Sequence, residues 1–425
     1  MNNYKILIGG YDFEQKIHRG TTFYAKALVR ALKENNLTLL TSAKKSKIEK
    51  IKLLHILRQL DNPLDVGGKR KLIFYVKYYI KEFINLKSFD IIKNNSDLEF
   101  EKKLLYLRNI DYFYNIPYIY SFLGIHNRFF LQKPFNLTIK GNFDVAVFTS
   151  PTNIKLNIPL VQTLHDVLPL SCIVHPPSDN AEIFYYRVKN MLKYSDKIIS
   201  VSNFSKEECL KLFPGYEDKI EVTYQPIPIY EEEEKIANEE FVQDAILKKY
   251  NLKKDNYLFY VGMLEKRKNI KSMLEAYLAV KDKINIPFVV AGALGYGKEE
   301  FKGYLNKDGV RYLQYINNIE KLVLMKNARA FIFLSLNEGF GLPPLEAMRM
   351  GIVSLISNIS ALPEVCGDAA FYVNPYSLSE IKDGLIEISL NESLREKLKS
   401  NFDKQLKRFS FESFRKKINK LIDSI

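Results

Sequence analysis

The fold class that the sequence predicts is α/β, with two Rossmann-like, doubly wound domains. Two observations predict it. Short apolar runs that end near glycine alternate with segments of helical periodicity, which is typical of a parallel sheet covered by helices. This alternation begins at the N-terminus and begins again near residue 257, and 425 residues are enough for two domains of ordinary size.

The first half opens with a strand at residues 5–8 that ends at Gly9-Gly10, followed by a helix at 21–33 and a strand at 37–40. The glycines do not form the GxGxxG fingerprint of dinucleotide-binding proteins. Ser202 or Ser205 is expected to cap a helix at its N-terminus. Further strands are predicted at 144–148, 160–164, 196–201 and 220–222, and further helices at 181–192 and 206–212.

Residues 44–140 are predicted to contain two or three basic, aromatic helices. Pro226, Pro228 and the acidic run at 231–234 indicate a linker between the halves. The second half is predicted to contain strands at 257–261, 288–291, 330–334 and 352–356, a helix at 270–280, a further unit of the α/β pattern at 322–326, and a basic helical tail from about residue 378.

The chain is basic, with a formal net charge of +14. Nucleic acid, an anionic membrane surface or a phosphate-bearing substrate would each explain this charge, as would a solvated basic face. Basic and aromatic side chains alternate in residues 69–87, and residues 112–130 are rich in aromatic ones. Neither a signal peptide nor a membrane-spanning segment is predicted. Three widely spaced cysteines indicate no disulfide framework or zinc site and favour the reducing cytosol.

Two glutamates, Glu338 and Glu346, lie eight residues apart in the run SLNEGFGLPPLEAM at 335–348. An apolar strand precedes the run, so we expect Glu338 in a strand-to-helix loop and Glu346 on the first turns of the helix. Gly339 and Gly341 allow close approach of the backbone, and free N–H groups at the helix start favour phosphate. The carboxylates can accept hydrogen bonds from sugar hydroxyls. Two merely solvated carboxylates are the alternative interpretation.

This string closely resembles the paired-glutamate signature of family 4 retaining glycosyltransferases, and the runs 357–370 and 374–375 continue the resemblance. The resemblance implies the GT-B fold, in which two Rossmann-like domains face each other across a cleft. It implies an acceptor-binding domain at 1–228, a nucleotide-sugar-binding domain at 229–410, and a last helix at about 411–425 that packs back on the first domain.

The resemblance also implies roles for the glutamate loop. Glu346 would bind the ribose hydroxyls of the donor. Glu338 would lie against the donor sugar and support an oxocarbenium-like state by positioning and electrostatics rather than as a nucleophile. The N–H groups of Phe340, Gly341 and Leu342 would meet sugar or phosphate oxygens, beside Gly339.

A basic loop at 262–269 follows the first strand of the second half. By resemblance, Lys268 neutralises the donor diphosphate, and Arg267 is the adjacent candidate. A fixed cation there stabilises the negative charge that grows as the glycosidic bond breaks. Met263 stands where many family members carry arginine, so the task falls to Arg267 and Lys268, or to Lys266. A solvated basic turn is the alternative.

Three further positions complete the predicted site. His165 ends a strand and, by resemblance, would bind a sugar hydroxyl or shape the reaction centre; a histidine satisfied by local hydrogen bonds is the alternative. Gly20 would let the backbone approach the diphosphate or the acceptor, although a plain helix entry also explains it. Gly262 opens the basic loop and is placed with the donor-binding residues.

No Asp-x-Asp motif occurs, so the metal-binding motif of the other major glycosyltransferase fold is absent. With Arg267 and Lys268 present, we expect a metal-independent enzyme without a cofactor, for which the nucleoside diphosphate sugar is a substrate.

The expected function is retaining transfer of a hexose from a nucleoside diphosphate sugar to a glycan or lipid-linked glycan in cell-surface polysaccharide assembly. A GDP-linked, mannose-like donor is favoured. The segments 44–87 and 112–130 predict peripheral contact with the anionic cytoplasmic face of the membrane. A GT-B nucleotide-sugar epimerase is one alternative, but those enzymes lack the glutamate string. A non-catalytic nucleic-acid-binding protein is the other; no recognised motif supports it, and no nucleic acid is expected.

Overall fold

A computed structural model describes residues 3–15, 20–63, 89–94, 102–174 and 180–425. Most of the described strands belong to two sheets, one built from residues 5–222 and the other from residues 258–373. We call the sheets with their covering helices the N-terminal and C-terminal lobes. The chain is thus an α/β protein with two Rossmann-like units.

The N-terminal lobe contains ten described strands: β1 (Lys5–Gly9), β2 (Asn36–Thr41), β3 (Asp90–Lys93), β4 (Tyr112–Asn115), β5 (Phe135–Leu137), β6 (Val145–Phe148), β7 (Ile154–Leu156), β8 (Leu160–Leu164), β9 (Lys197–Ser200) and β10 (Ile220–Val222). Eight of them form the sheet β10-β9-β8-β6-β1-β2-β4-β3, and β5 pairs with β7. Neighbours in the large sheet are parallel except β3 and β4.

The described helices of this lobe are α1 (Gly20–Ala31), α2 (Glu49–Asp61), α3 (Ile119–Phe129), α4 (Leu168–Ser171), α5 (Ala181–Tyr194) and α6 (Asn203–Leu212). Short 3-10 turns add residues Tyr11–Phe13, Lys102–Asn109 and Glu217–Lys219. The predicted cap of α6 is confirmed for Ser202, whose hydroxyl accepts a hydrogen bond from the Ser205 N–H at 3.0 Å.

The C-terminal lobe contains β11 (Leu258–Val261), β12 (Phe288–Ala291), β13 (Val310–Tyr312), β14 (Ala330–Phe333), β15 (Ser354–Ser357) and β16 (Phe371–Val373), in the all-parallel order β13-β12-β11-β14-β15-β16. All four residues of β14 are buried, as expected for a parallel strand covered on both faces.

Its helices are α7 (Glu231–Asn238), α8 (Glu240–Lys249), α9 (Ile270–Ile284), α10 (Asn318–Lys326), α11 (Leu342–Arg349), α12 (Leu362–Cys366), α13 (Leu378–Leu390), α14 (Glu392–Lys399) and α15 (Phe402–Lys407), and the chain continues into α16 (Phe411–Ile422). The basic loop contains a 3-10 turn at Lys266–Lys268, and others lie at Lys298–Glu300, Lys302–Asn306 and Gly367–Ala369.

The sequence predicted that the acidic run at 231–234 belongs to a linker, and this prediction is wrong. The run forms the first turn of α7. Glutamates at this position are favoured by the positive end of the helix dipole. Glu233 and Ala237 are buried, and Glu233 accepts a hydrogen bond from Asn318 Nδ2 on α10 at 3.4 Å. The helix is therefore packed on the C-terminal lobe.

The prediction of two or three helices in residues 44–140 is only partly confirmed. It contains α2 and α3, but also β3, β4 and β5. Phe113 and Tyr114 of β4 are buried in the sheet, so these aromatic side chains form core and not the membrane-facing surface that the sequence predicted. Phe129 and Phe130 do remain exposed. The basic aromatic stretch at 69–87 lies outside the described residues.

The last helix, α16, lies against α1 of the N-terminal lobe. Asn419 Nδ2 donates a hydrogen bond to the Ala31 carbonyl at 3.1 Å, and the Arg30 guanidinium lies 4.3 Å from the centre of the Phe411 ring. The Phe414 ring meets Tyr24 edge-on. The end of the chain thereby ties the two lobes together. No helix in the described part of the chain is long and apolar enough to cross a membrane.

Candidate active site

The predicted site residues follow the carboxyl ends of strands in both lobes. His165 follows β8, the basic loop follows β11, and Glu338 lies in the loop after β14. Ligands of doubly wound sheets bind outside these ends. The two edges meet: a β-carbon on Gly20 of α1 would lie 3.4 Å from Leu342 Cδ1 of α11, an ordinary contact. The structure therefore brings residues from both lobes together at one interface.

The glutamate loop is held in place by its glycines and by Phe340. Gly341 has φ 113°, a left-handed conformation that favours glycine, and its β-carbon would lie 2.6 Å from Leu362 Cδ2. The Phe340 ring is buried and packs edge-on against Phe409 at 5.7 Å between ring centres. Tyr224 contacts both rings. The loop is thus anchored where the chain passes between the lobes.

Glu338 is held by two cations of the basic loop. One carboxylate oxygen contacts Lys268 Nζ, and the other lies 3.2 Å from Arg267 Nη1. Arg267 is itself fixed, because Nη1 donates to the Asn337 carbonyl at 2.6 Å and Nη2 donates to Glu265 Oε1 at 2.8 Å. Residues that are 70 positions apart thus form one largely buried, charged cluster.

The charge of Glu338 is set by a balance between burial and these neighbours. Burial is the largest influence and by itself would raise the pKa of the carboxyl group. Lys268 and Arg267 together outweigh it and lower the pKa of Glu338 to about 2. The side chain is therefore an anion throughout the pH range in which enzymes are assayed.

The side chains of Lys266, Arg267 and Lys268, the three adjacent cations of the basic loop, point in different directions. Lys266 pairs with Glu300 at 2.5 Å, and the side chains of both are well exposed. Arg267 and Lys268 turn inward, each with less than 15% of its side chain exposed. Of the two possibilities that the sequence left open, the structure therefore places Arg267 and Lys268, and not Lys266, beside Glu338.

Glu346 lies on α11 and is 5% exposed. Its Oε1 atom is 2.5 Å from Nζ of Lys321 on α10. Burial raises the pKa of Glu346, and Lys321 opposes that rise only in part. Lys321 belongs to no sequence motif and lies 25 residues before its partner, so the sequence alone does not mark it as a site residue. A hydroxyl-bearing ligand would share this carboxylate with Lys321.

His165 is oriented by the N-terminal lobe. Its Nε2 atom lies 2.8 Å from the Thr149 carbonyl oxygen, which can only accept, so Nε2 carries the hydrogen and Nδ1 is left to accept a hydrogen bond. The ring also packs edge-on against Tyr24 at 5.1 Å. Asp12, which no sequence motif marks, accepts hydrogen bonds from the hydroxyls of Thr149 and Ser150. It thereby fixes the segment whose Thr149 carbonyl orients His165.

Gly339 forms a direct contact between the lobes. A β-carbon there would lie 2.5 Å from the His165 carbonyl oxygen and 2.7 Å from Asp166 Cβ. Its carbonyl oxygen accepts hydrogen bonds from the hydroxyls of Ser202 at 2.6 Å and Ser205 at 3.0 Å. The space that the missing side chain leaves is thus filled by the N-terminal lobe.

The remaining predicted residues have backbone contacts. The Gly262 N–H donates to the Ala291 carbonyl at 3.1 Å and so joins the basic loop to β12. Leu342 begins α11 after Gly341. Among the described residues, no group of three or more His, Cys, Asp and Glu side chains could hold a metal ion. Independence from metals stays a prediction.

Two Rossmann-like sheets whose carboxyl edges face each other define the GT-B fold. The fold of the Anabaena protein HepE, solved with UDP and glucose, matches the whole of this chain and the whole of that chain with a TM-score of 0.62 at 12% identity. Residues 242–405 match the family model for glycosyl transferases group 1.

Several relatives are similar in sequence, including the following two. O-antigen chain mannosyltransferase B of Escherichia coli is 31% identical over 267 residues, which are 60% of this chain and 67% of that protein. The serotype-specific mannosyltransferase WbdA of Escherichia coli is 28% identical over 64% of this chain, and the match spans only 34% of WbdA. The chain belongs to the glycosyl transferases group 1 family and is a glycosyltransferase.

Proposed function

We propose that this glycosyltransferase is a retaining, metal-independent hexosyltransferase that moves a mannose-like sugar from a nucleoside diphosphate donor to a glycan. The observation that carries the proposal is the cluster of Arg267, Lys268 and Glu338 at the cleft. Two largely buried cations beside an ionised carboxylate are suited to bind a donor that carries both phosphates and hydroxyls.

In the proposed reaction, the acceptor hydroxyl oxygen bonds to the anomeric carbon while the bond from that carbon to the β-phosphate oxygen breaks. The acceptor proton passes to the departing diphosphate. Arg267 and Lys268 stabilise the negative charge that grows on the diphosphate, and this stabilisation is greater in the transition state than in the ground state. Glu338 supports the positive charge that develops on the sugar.

The other predicted residues complete the donor site. Glu346 and Lys321 would take the ribose end of the nucleotide, since carboxylate oxygens accept from hydroxyls. His165 Nδ1 would accept from a sugar hydroxyl, because Nε2 is already committed to Thr149. The N–H groups of Phe340, Gly341 and Leu342 would meet oxygens of the sugar or diphosphate.

The sugar and the acceptor are inferred from the relatives. Both are called mannosyltransferases, and one carries O-antigen in its name, so we propose a GDP-mannose-like donor and an acceptor in cell-surface polysaccharide assembly. A lipid-linked acceptor at the cytoplasmic membrane face would be consistent with the exposed Phe129 and Phe130 and with the net positive charge.

The proposal is tested with the purified full chain, synthetic α-mannoside acceptors and GDP-mannose, UDP-glucose or dTDP-rhamnose, each with and without EDTA. We expect GDP-mannose to be used, EDTA to have no effect, and NMR to show an α-linked product. A β-linked product from GDP-mannose, which is an α-linked donor, would contradict retention, and inhibition by EDTA that Mg²⁺ reverses would contradict metal independence. Glu338→Ala should abolish transfer; full activity in that variant would contradict the role of the cluster.

A further inference from the structure

Glu364 joins the two lobes beside the glutamate loop. It lies on α12 of the C-terminal lobe, and its carboxylate reaches the N-terminus of α6 in the N-terminal lobe. Oε1 accepts hydrogen bonds from the backbone N–H of Asn203 at 2.7 Å and from Asn203 Nδ2 at 2.8 Å, and Oε2 accepts from the Phe204 N–H at 2.9 Å. The lobes thus share three hydrogen bonds at one carboxylate.

The chemistry of this contact favours an anion. The first N–H groups of an α-helix have no partner within the helix, and the positive end of the helix dipole attracts a carboxylate. Glu364 supplies the partner for the N–H groups of Asn203 and Phe204, and Ser202 supplies it for Ser205. The first turn of α6 is therefore completed by a residue 160 positions away.

The same turn of α6 also holds the reaction centre. The hydroxyl of Ser202 donates to the Gly339 carbonyl, and the Ser205 hydroxyl oxygen lies within 3.0 Å of both the Gly339 and the His165 carbonyl oxygens. Glu338 and His165, which belong to different lobes, are thereby placed relative to each other through α6.

Glu364 is connected to the glutamate loop on its own side as well. The Ala361 N–H donates to the Glu338 carbonyl at 3.3 Å, and the Val365 N–H donates to the Ala361 carbonyl at 3.0 Å. The backbone from Glu338 to α12, the carboxylate of Glu364 and the first turn of α6 close a ring of contacts around the point where the lobes touch.

We infer that Glu364 is a positioning residue for glycosyl transfer: its carboxylate fixes the N-terminus of α6 against the C-terminal lobe and so sets the glutamate loop opposite His165. This inference rests on the proposed function. Glu364 is separate from the cluster that we propose binds the donor, because the Glu338 carboxylate faces Arg267 and Lys268. Its loss should therefore change the rate of transfer more than the binding of nucleotide.

The test compares Glu364→Gln with Glu380→Gln in the full chain. Glu380 is the matched control, because its carboxylate also accepts a backbone N–H, that of Asn374 at 3.0 Å, but within one lobe. We expect Glu364→Gln to lower kcat about tenfold, the scale of losing charge-assisted hydrogen bonds at a partly exposed site, with KM for the donor changed less than about twofold. Glu380→Gln should match the wild type.

The route through α6 is tested by adding Asn203→Ala. This change removes the hydrogen bonds of Asn203 Nδ2 to Glu364 and to the Tyr224 hydroxyl, so it should lower kcat in the wild type and lower it by a smaller factor in the Glu364→Gln background. If the double variant loses kcat by the product of the two single-variant factors, the inference is overturned. Equal kcat values for the wild type and Glu364→Gln would also overturn it.

Small-angle X-ray scattering of the nucleotide-free variants separates this inference from the proposed function. If Glu364 fixes the lobes, Glu364→Gln should show a wider distribution of interatomic distances, and Glu380→Gln should not. Identical curves would overturn the positioning role even if the wild type transfers sugar. A wild type that transfers no sugar, with a widened Glu364→Gln curve, would overturn the proposed function and keep only the structural role.

Discussion

Arg267 Nη1 lies 3.2 Å from Glu338 Oε2, and Lys268 contacts the other oxygen of the same carboxylate. The two cations that we propose hold the donor diphosphate are therefore balanced by an anion of the protein itself. Because all three side chains are largely buried, solvent screens their charges only weakly. A diphosphate that binds there must either displace Glu338 from Arg267 and Lys268 or contact the two cations while Glu338 stays bound to them.

The first prediction concerns the neighbouring lysines. Lys268→Met should lower kcat about a hundredfold to a thousandfold, the usual cost of removing one group that stabilises developing charge. Lys266→Met is the matched control, since Lys266 points to the exposed Glu300, and it should stay within about twofold of the wild type. Steady-state kinetics checks both; equal losses in the two variants would show that the direction of the side chain is irrelevant.

The second prediction concerns the stability of the cluster. Glu338→Gln leaves the largely buried Lys268 without its anion and leaves Arg267 with Glu265 alone, which should lower the free energy of unfolding by about 3–5 kcal/mol. GDP should restore part of this loss, because its diphosphate supplies the missing charge. Thermal unfolding with and without GDP measures both effects.

The control for this measurement is Glu300→Gln, which removes an exposed partner of Lys266 and should change Tm little. The rise in Tm with GDP should be larger for Glu338→Gln than for the wild type. A smaller rise would mean that the nucleotide does not reach these cations.

The third prediction concerns the contact between the lobes at Gly339. Gly339→Ala places a methyl group 2.5 Å from the His165 carbonyl oxygen, so the loop or the lobe must shift. We expect kcat to fall about a hundredfold, because small displacements of reacting groups are that costly. Gly303→Ala, whose β-carbon would meet nothing within 4 Å, should keep wild-type activity. Unchanged kinetics in Gly339→Ala would contradict the observed packing.

The fourth prediction concerns Glu14, a buried acid outside the proposed donor site. Its carboxylate accepts hydrogen bonds from the Ser42 N–H at 2.8 Å and from Gln59 Nε2 at 3.3 Å. Burial nevertheless raises the pKa of Glu14 to about 7. Since the folded protein holds this proton more tightly than the unfolded chain, the stabilisation is complete below about pH 4.5 and is lost as pH rises through about 7.

Glu14→Gln cannot titrate and should therefore gain stability relative to the wild type, by about 2–3 kcal/mol between pH 5 and pH 8. Denaturant unfolding at several pH values measures the difference. Parallel pH profiles for the two proteins would show that Glu14 keeps its ordinary pKa.

The parts of the fold that the sequence predicted are those with a strong local signal. Ala330–Phe333 is an uninterrupted apolar strand, and Glu338, Gly341 and Pro343 follow it in an order that specifies a loop and a helix start. β4, in contrast, reads Tyr-Phe-Tyr-Asn, and an aromatic run fits a sheet interior and a membrane surface equally well. Only the neighbouring strands decide between them.

The parts of the site that the sequence missed depend on contacts between distant residues. Ser202 and Gly339 are 137 residues apart, and Glu364 and Phe204 are 160 apart, so no local pattern records either contact. Nothing in the sequence around Lys321 distinguishes it from a surface lysine. It contacts Glu346 because α10 packs beside α11 in the fold. The direction of Lys266, away from Glu338, likewise follows from the turn at Lys266–Lys268 and not from composition.

The most direct test of the central claim is a crystal structure of the full chain with GDP or GDP-mannose. We predict that the β-phosphate lies within hydrogen-bond distance of Lys268 Nζ and the Arg267 guanidinium, and that the ribose hydroxyls lie at Glu346. A nucleotide bound away from the Glu338 loop, with the contacts of Arg267 and Lys268 to Glu338 undisturbed, would contradict the account.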